Sequence, residues 1–137
     1  MNILSIDPGR EKSGVAILNQ NKILHHEVIE SGTLIEFCIE KIKSYQVSAI
    51  VIGDGTSSKT TITNLKNEIK EVPIHKVNEY RTTDAAKVRY WEDNPPTGVK
   101  RFIPKGMLIP PCPIDDYAAI ILGERYLENN KGEKVPK

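Results

Sequence analysis

The chain begins with a short apolar segment that delivers one carboxylate and then stops at a proline and a glycine. Residues 2–9 read Asn-Ile-Leu-Ser-Ile-Asp-Pro-Gly, and five residues after Gly9 another glycine opens a second apolar segment, residues 14–18. Proline cannot donate to a strand ladder and glycine permits a turn, so the pattern predicts two strands joined by a loop. Asp7 would stand at a strand end, where it could bind a cation. An ordinary Asp-Pro-Gly turn is the alternative interpretation.

The bulk composition favours one globular domain over residues 1–137. A chain of 137 residues is long enough for a hydrophobic core, and its formal net charge is only +1. A protein that coats duplex nucleic acid is usually more basic, so any such contact must rely on a local patch. Two cysteines are too few for a disulfide framework or a zinc ligand set. We find neither a run of about 18 apolar residues nor a signal peptide, so we expect a cytoplasmic protein without a membrane partner.

The predicted elements follow the order β-β-β-α-β-α-β-α-loop-α. Ser31 is predicted to cap the first helix, and His25 and His26, being adjacent in a strand, should face opposite sides of the sheet. The first three strands should form an antiparallel meander, and right-handed crossovers should place strands four and five parallel to strand one. The predicted strands are residues 3–7, 14–19, 23–29, 48–53 and 72–77; the predicted helices are 31–45, 58–70, 83–91 and 113–127, with a frayed tail at 129–137.

Acidic residues stand at the ends of these strands and at the start of the last helix. Asp7 ends strand one, Asp54 ends strand four, Glu79 follows strand five, and Asp115 and Asp116 open the helix. Ligands of such sheets gather at the carboxyl ends of the parallel strands. Crowded carboxylates repel one another and need a cation, and oxygen ligands favour one or two Mg²⁺ or Mn²⁺ ions. Two such ions can promote phosphodiester hydrolysis.

Each of these acids also has a purely structural interpretation. Asp54 suits a turn that precedes a helix, and Glu79 could simply pair with Arg81 or Lys76. Asp115 and Asp116 would be stabilised by the helix dipole whatever the function. Adjacent helical residues point about 100° apart, so we expect only one of the two to face a site shared with the strand-end acids.

A long segment, residues 92–111, holds five of the nine prolines and carries Lys100, Arg101 and Lys105. We expect these three cations, together with Arg81, to contact the phosphates of a nucleic acid. Basic side chains supply most of the affinity that proteins have for nucleic-acid backbones.

Three segments together resemble the RuvC-type Holliday-junction resolvases and the related YqgF family, both of the RNase H-like superfamily. They are Ile6-Asp7-Pro8-Gly9 with Gly14-Val15-Ala16, Asn78-Glu79-Tyr80-Arg81-Thr82-Thr83, and residues 114–122, Ile-Asp-Asp-Tyr-Ala-Ala-Ile-Ile-Leu. The resemblance implies an α/β fold with a mixed five-stranded sheet of order 3-2-1-4-5 and helices on both faces. It also implies metal-dependent cleavage of branched DNA or of structured RNA such as ribosomal RNA precursors.

Carried over by motif, Asp7 is the ligand on strand one and Asp115 the ligand on the helix, with Asp116 as the alternative. Asp54 takes the strand-four position, where RuvC-type enzymes place a glutamate. The chain departs from both families. Asn78 stands where YqgF proteins usually have an aspartate, and Cys112 falls where the RuvC helix carries an earlier acid. A thiol cannot replace a hard oxygen ligand of magnesium.

The first hypothesis is therefore a metal-dependent endonuclease of branched or structured nucleic acid, which would be a homodimer if it cuts junctions symmetrically. The incomplete acidic set motivates an alternative, an RNase H-like module that binds nucleic acid or a protein without cutting. A third hypothesis is a nucleotide-phosphate-binding domain, because Asp54-Gly55-Thr56 resembles a phosphate loop of the sugar kinase and actin superfamily.

Overall fold

The computed structural model describes residues 1–20, 22–104 and 107–129. Within them lies one sheet, whose strands are β1 (Asn2–Asp7), β2 (Lys12–Asn19), β3 (Lys22–Glu30), β4 (Val47–Gly53) and β5 (Ile74–Val77). The strand order in the sheet is β3-β2-β1-β4-β5. The first three strands pair antiparallel, β4 is parallel to β1, and β5 is parallel to β4. The predicted mixed sheet and its order are thus confirmed.

Helices cover both faces of this sheet, as the resemblance implied. One core joins the sheet to α1 and α2, and a second core on the opposite face joins it to α3 and α4. No helix in the described part of the chain is long and apolar enough to span a membrane. The helices are α1 (Leu34–Tyr45), α2 (Ser58–Glu68), α3 (Thr82–Asp93) and α4 (Asp115–Asn129), with short 3-10 turns at Ser31–Thr33 and Gly98–Phe102.

Strand β1 shows how alternation divides the two cores. Leu4 and Ile6 pack into the core with α1 and α2, whereas Ile3 packs into the core with α4. Ser5 lies on the α4 side and is fully buried, and its hydroxyl donates a 2.6 Å hydrogen bond to the carbonyl oxygen of Ala119. Because side chains alternate along a strand, this register places Asp7 on the α4 face at the end of the strand.

Ser31 does not cap the first helix, contrary to the prediction. Its hydroxyl donates instead to the carbonyl oxygen of Gly9 at 2.7 Å and forms a 2.8 Å hydrogen bond with the hydroxyl of Ser13. The helix begins three residues later, after Thr33, whose side chain makes no capping bond. Ser31 therefore ties the loop that follows Asp7 to the start of β2 and the end of β3.

Helix α4 begins at Asp115, two residues later than predicted, and its first turn presses against β2. A Cβ atom on Gly14 would lie 1.8 Å from the carbonyl oxygen of Asp115 and 2.5 Å from the backbone nitrogen of Asp116. Only glycine permits this approach. Since Gly14 pairs with Asp7 across the two strands, the contact brings the start of the helix to the end of β1. The predicted tail lies outside the described residues from 130 onward.

Candidate active site

Asp7 is the half-buried last residue of β1, and its pKa depends on burial and on two neighbouring acids. Its pKa is raised from 3.8 to about 7. Burial is the largest cause, because it disfavours the charged form, and the nearby negative charges of Asp115 and Glu79 add to it. Residues from the start of α4 and from the turn after β5 thus lie within electrostatic reach of the end of β1.

Asp115 is the first residue of α4 and is half-buried. Its pKa is raised by burial and by the adjacent Asp116, while the positive charge of Lys12 acts in the opposite direction. Lys12 was not among the predicted site residues. Strand alternation offers the signal that could have found it, since Lys12 lies two residues before Gly14 and on the same face of β2.

Glu79 and Asp54 meet at the carboxyl ends of β5 and β4. The backbone N–H of Glu79 donates to Asp54 Oδ1 at 3.1 Å. Burial and the charge of Asp54 raise the pKa of Glu79, and a hydrogen bond with the Gly55 backbone opposes the shift. A Cβ atom on Gly55 would lie 2.2 Å from Glu79 Oε1, so the glycine leaves room for the carboxylate. The cation Arg81 forms its ion pair with Asp84, at 3.4 Å.

Asp116 has different partners from its neighbour in the helix. Its Oδ2 accepts a 2.7 Å hydrogen bond from His26 Nδ1, and its Oδ1 accepts one from the backbone N–H of Tyr117 at 3.0 Å. His26 lies on the α4 face of the sheet, while His25 contacts Phe37 of α1 on the other face. The two adjacent acids are therefore separated, and it is Asp115 whose charge acts on the acid at the end of β1.

Two of the predicted phosphate-binding cations, Lys100 and Arg101, lie outside this carboxylate group. Lys100 and Arg101 are exposed in the 3-10 turn Gly98–Phe102, where the Arg101 guanidinium stands 5.1 Å from the ring centroid of Phe102. Neither is among the charges that shift the pKa values of the three site acids. Lys105 lies outside the described residues. Arg81 is exposed and stands close to the acids, two residues after Glu79.

The donor chemistry of the site fits a hard divalent cation, although the side chains are not gathered into a coordination shell. Within residues 1–20, 22–104 and 107–129, no three His, Cys, Asp or Glu side chains are placed closely enough to hold a metal ion. Burial and the nearby charges of Asp115 and Glu79 nevertheless raise the pKa of Asp7, and a cation would offset this repulsion.

The two positions that depart from the family patterns are engaged elsewhere. Asn78 Oδ1 accepts a 2.7 Å hydrogen bond from the backbone N–H of Tyr80. Cys112 is exposed, and its Sγ lies 3.8 Å from the hydroxyl of Tyr90. The described structure thus places acids at the strand ends and at the helix start, while the Cys112 thiol lies against an aromatic side chain.

The sheet order and the flanking helices define an α/β protein with the RuvC-like RNase H fold. Neither a family model nor a curated protein sequence matches the chain. Among solved structures, Thermus thermophilus RuvC in complex with a Holliday junction substrate is similar, with a TM-score of 0.66 and 16% identity over 98% of this chain and 99% of that one. A second structure of T. thermophilus RuvC gives a TM-score of 0.64 and 14% identity over 98% and 100%. The fowlpox virus resolvase with Holliday junction DNA gives 0.62 and 15% over 96% and 100%.

Proposed function

We propose that this protein is a divalent-metal-dependent endonuclease that hydrolyses phosphodiester bonds in branched nucleic acid, with four-way DNA junctions as the first substrate class. One observation carries the proposal. On a RuvC-like fold, Asp7 ends the central strand among carboxylates from two other elements, and its pKa is raised to about 7. Perturbed acids that converge at the carboxyl ends of parallel strands are typical of functional sites.

The roles of the acids follow from their positions. Asp7, Asp115 and Glu79 would hold Mg²⁺ or Mn²⁺, together with Asp54, whose carboxylate accepts a hydrogen bond from the Glu79 backbone. Asp116 is the less suitable helix ligand, because both of its oxygens already accept hydrogen bonds. A bound cation would supply positive charge opposite the phosphate and a nucleophile at neutral pH. The protein's own contribution is to hold these oxygens at fixed backbone positions.

The same proposal assigns Lys100, Arg101, Lys105 and Arg81 to phosphates that flank the cut. A net charge of +1 leaves little general attraction for nucleic acid, so non-specific binding should be weak and should fall steeply with salt. Symmetric cutting of a four-way junction requires two active sites, so we propose a homodimer. The cytoplasm is the proposed location.

The test is a cleavage assay with three labelled substrates: a mobile four-way DNA junction, a matched linear duplex and a structured RNA. Each is incubated with Mn²⁺ or with EDTA. Asp7→Asn is compared with Glu36→Gln, which removes an exposed acid from the first turn of α1. We expect cutting of the junction that needs Mn²⁺, is lost in Asp7→Asn and persists in Glu36→Gln. Full activity of Asp7→Asn would overturn the proposal, and preferential cutting of the RNA would reassign the substrate.

A second candidate function is a module that binds branched nucleic acid without cutting it. The lack of a preformed three-ligand metal group among the described residues favours it, as do Asn78 and Cys112 at positions where acids are expected. Tight junction binding in EDTA, with the substrate left intact under every metal condition, would establish this function and exclude the nuclease.

A further inference from the structure

The turn that follows β5 is held rigidly beside the candidate site. The backbone N–H of Glu79 donates to Asp54, that of Tyr80 donates to Asn78 Oδ1, and Thr82 donates to the Glu79 carbonyl oxygen from its backbone at 3.1 Å and from its hydroxyl at 3.0 Å. The first of these bonds ties the turn to Asp54 at the end of β4, and the others hold the turn together internally.

The second anchor of this turn comes from α4. The guanidinium of Arg125 donates to the Asn78 carbonyl oxygen at 3.2 Å. The turn is therefore tied both to the strand that carries Asp54 and to the helix that carries Asp115, so a group displayed by it keeps a constant position relative to the acids.

Arg81 occupies a strained conformation in this turn. Its φ of 57° and ψ of 25° lie in the left-handed region, which glycine adopts readily and a long side chain does not. Such strain persists only where surrounding bonds impose it, and it is concentrated at functional sites. Here it coincides with a residue pair, Tyr80 and Arg81, that projects from the protein beside Glu79.

The side chain of Tyr80 packs little against the rest of the protein. Tyr80 is 71% exposed, and the Arg81 guanidinium stands 5.9 Å from its ring centroid. Because the ring buries little apolar surface, replacing Tyr80 should change the free energy of unfolding only slightly. A ring that is presented by a fixed turn, next to a cation and within one residue of a site acid, is suited to stacking on a planar group.

We propose that Tyr80 is a specificity-determining residue that stacks on a nucleobase next to the scissile phosphodiester, with Arg81 against the adjoining phosphate. This inference rests on the proposed nuclease function. Stacking on an aromatic side chain works for any base, but its strength and the unstacking that it requires differ between bases and between branched and continuous helices. Tyr80 would therefore set which position near a branch point is presented to Asp7.

The first test compares wild type with Tyr80→Ala and Tyr80→Phe on a pool of junctions whose bases next to the cut are randomised. We expect Tyr80→Ala to flatten the distribution of cut positions and to lower kcat/KM by about 10-fold, the lower part of the range for loss of one stacked base. Tyr80→Phe keeps the aromatic ring, so it should retain the wild-type distribution of cut positions and the wild-type kcat/KM. Melting temperatures of all three proteins should agree, because the side chain is exposed. An unchanged distribution in Tyr80→Ala would overturn the proposal, and so would equal effects of the two variants.

The second test does not depend on cutting. It uses the Asp7→Asn protein in EDTA with junctions that carry 2-aminopurine at successive positions around the branch. We expect a change in fluorescence at one position, which is lost when Tyr80→Ala is combined with Asp7→Asn and kept when Tyr80→Phe is combined with it. A wild-type protein that cuts no substrate would reject the nuclease proposal while this assay still decides the stacking. Bound junctions whose fluorescence is the same with and without the Tyr80→Ala substitution would reject the stacking alone.

Discussion

His26 Nδ1 lies 2.7 Å from Asp116 Oδ2, and this hydrogen bond joins β3 to the first turn of α4. Asp116 is almost fully buried, so its carboxylate depends on this donor and on the backbone N–H of Tyr117. The bond keeps the Asp116 carboxylate against His26. It thereby fixes the rotation of the helix start that places Asp115 near Asp7.

Replacing His26 should therefore destabilise the protein. In His26→Ala the buried carboxylate loses a donor, and we expect the free energy of unfolding to fall by about 1–3 kcal/mol. His26→Asn should recover part of the loss, because its amide can donate from a position close to that of Nδ1. Urea unfolding at pH 7 measures both. An unchanged midpoint in His26→Ala would show that the bond does not support the helix start.

Asp115 and Asp116 should differ in function although they are adjacent. We expect Asp115→Asn to lose Mn²⁺-dependent junction cutting by at least about 100-fold, the scale on which loss of a metal-site group acts. Asp116→Asn should retain most activity, but it should lower the melting temperature because the Asp116 carboxylate is almost fully buried and accepts a hydrogen bond from His26. The measurements are cleavage rates under single-turnover conditions and thermal melts of both variants. The reverse order of activities would identify Asp116 as the helix ligand.

The raised pKa of Asp7 predicts how stability depends on pH without divalent ions. A carboxyl whose folded pKa of about 7 exceeds its ordinary value of 3.8 holds its proton more tightly in the folded state, so stability falls as pH rises between these values. The shift corresponds to at most about 4 kcal/mol. Partial exposure of the side chain reduces our expectation to about 1–2 kcal/mol.

The corresponding experiment follows the melting temperatures of wild type and Asp7→Asn in EDTA at pH 4.5 and pH 8.5. Asp7→Asn should be the more stable protein at pH 8.5, and most of the difference should vanish at pH 4.5. Added Mn²⁺ at pH 8.5 should stabilise the wild type more than the variant, since a ligand that binds only the folded state raises its stability. A difference that is constant with pH would mean that the Asp7 carboxyl is not destabilised by its surroundings.

Gly14 should tolerate no side chain, because a Cβ atom there would overlap the backbone of Asp115. We expect Gly14→Ala to lower the free energy of unfolding by about 1–3 kcal/mol or more and to abolish junction cutting by displacing the helix start. Gly32→Ala is the matched control, since a Cβ atom at Gly32 would have no neighbour within 4 Å. Circular dichroism melts and the cleavage assay report both effects. Equal behaviour of the two variants would contradict the close packing of β2 against α4.

Local pattern was sufficient for the strands because their signals lie within a few residues. Asp7-Pro8-Gly9 marks the end of β1, and the apolar run before Asp54 marks a strand that is buried on both faces, as the structure confirms. The prediction for Ser31 was wrong because its hydroxyl has partners in Gly9 and Ser13, which are about 20 residues away and adjacent only after β1, β2 and β3 have paired. Capping propensity is a local preference, and tertiary partners override it.

Hydrophobic periodicity and turn residues act locally, so they were enough to predict the order of elements, the directions of strand pairing and the acids at strand and helix ends. The sheet order came from the family resemblance. Which acids act on one another depends on contacts that form only when distant segments pack together. The close approach of α4 to Gly14 brings Asp115 near Asp7, whereas Asp116 is hydrogen-bonded to His26. Helix rotation and the depth of packing are set by contacts between distant segments, and a single helical step of about 100° separates a residue that faces the site from one that does not.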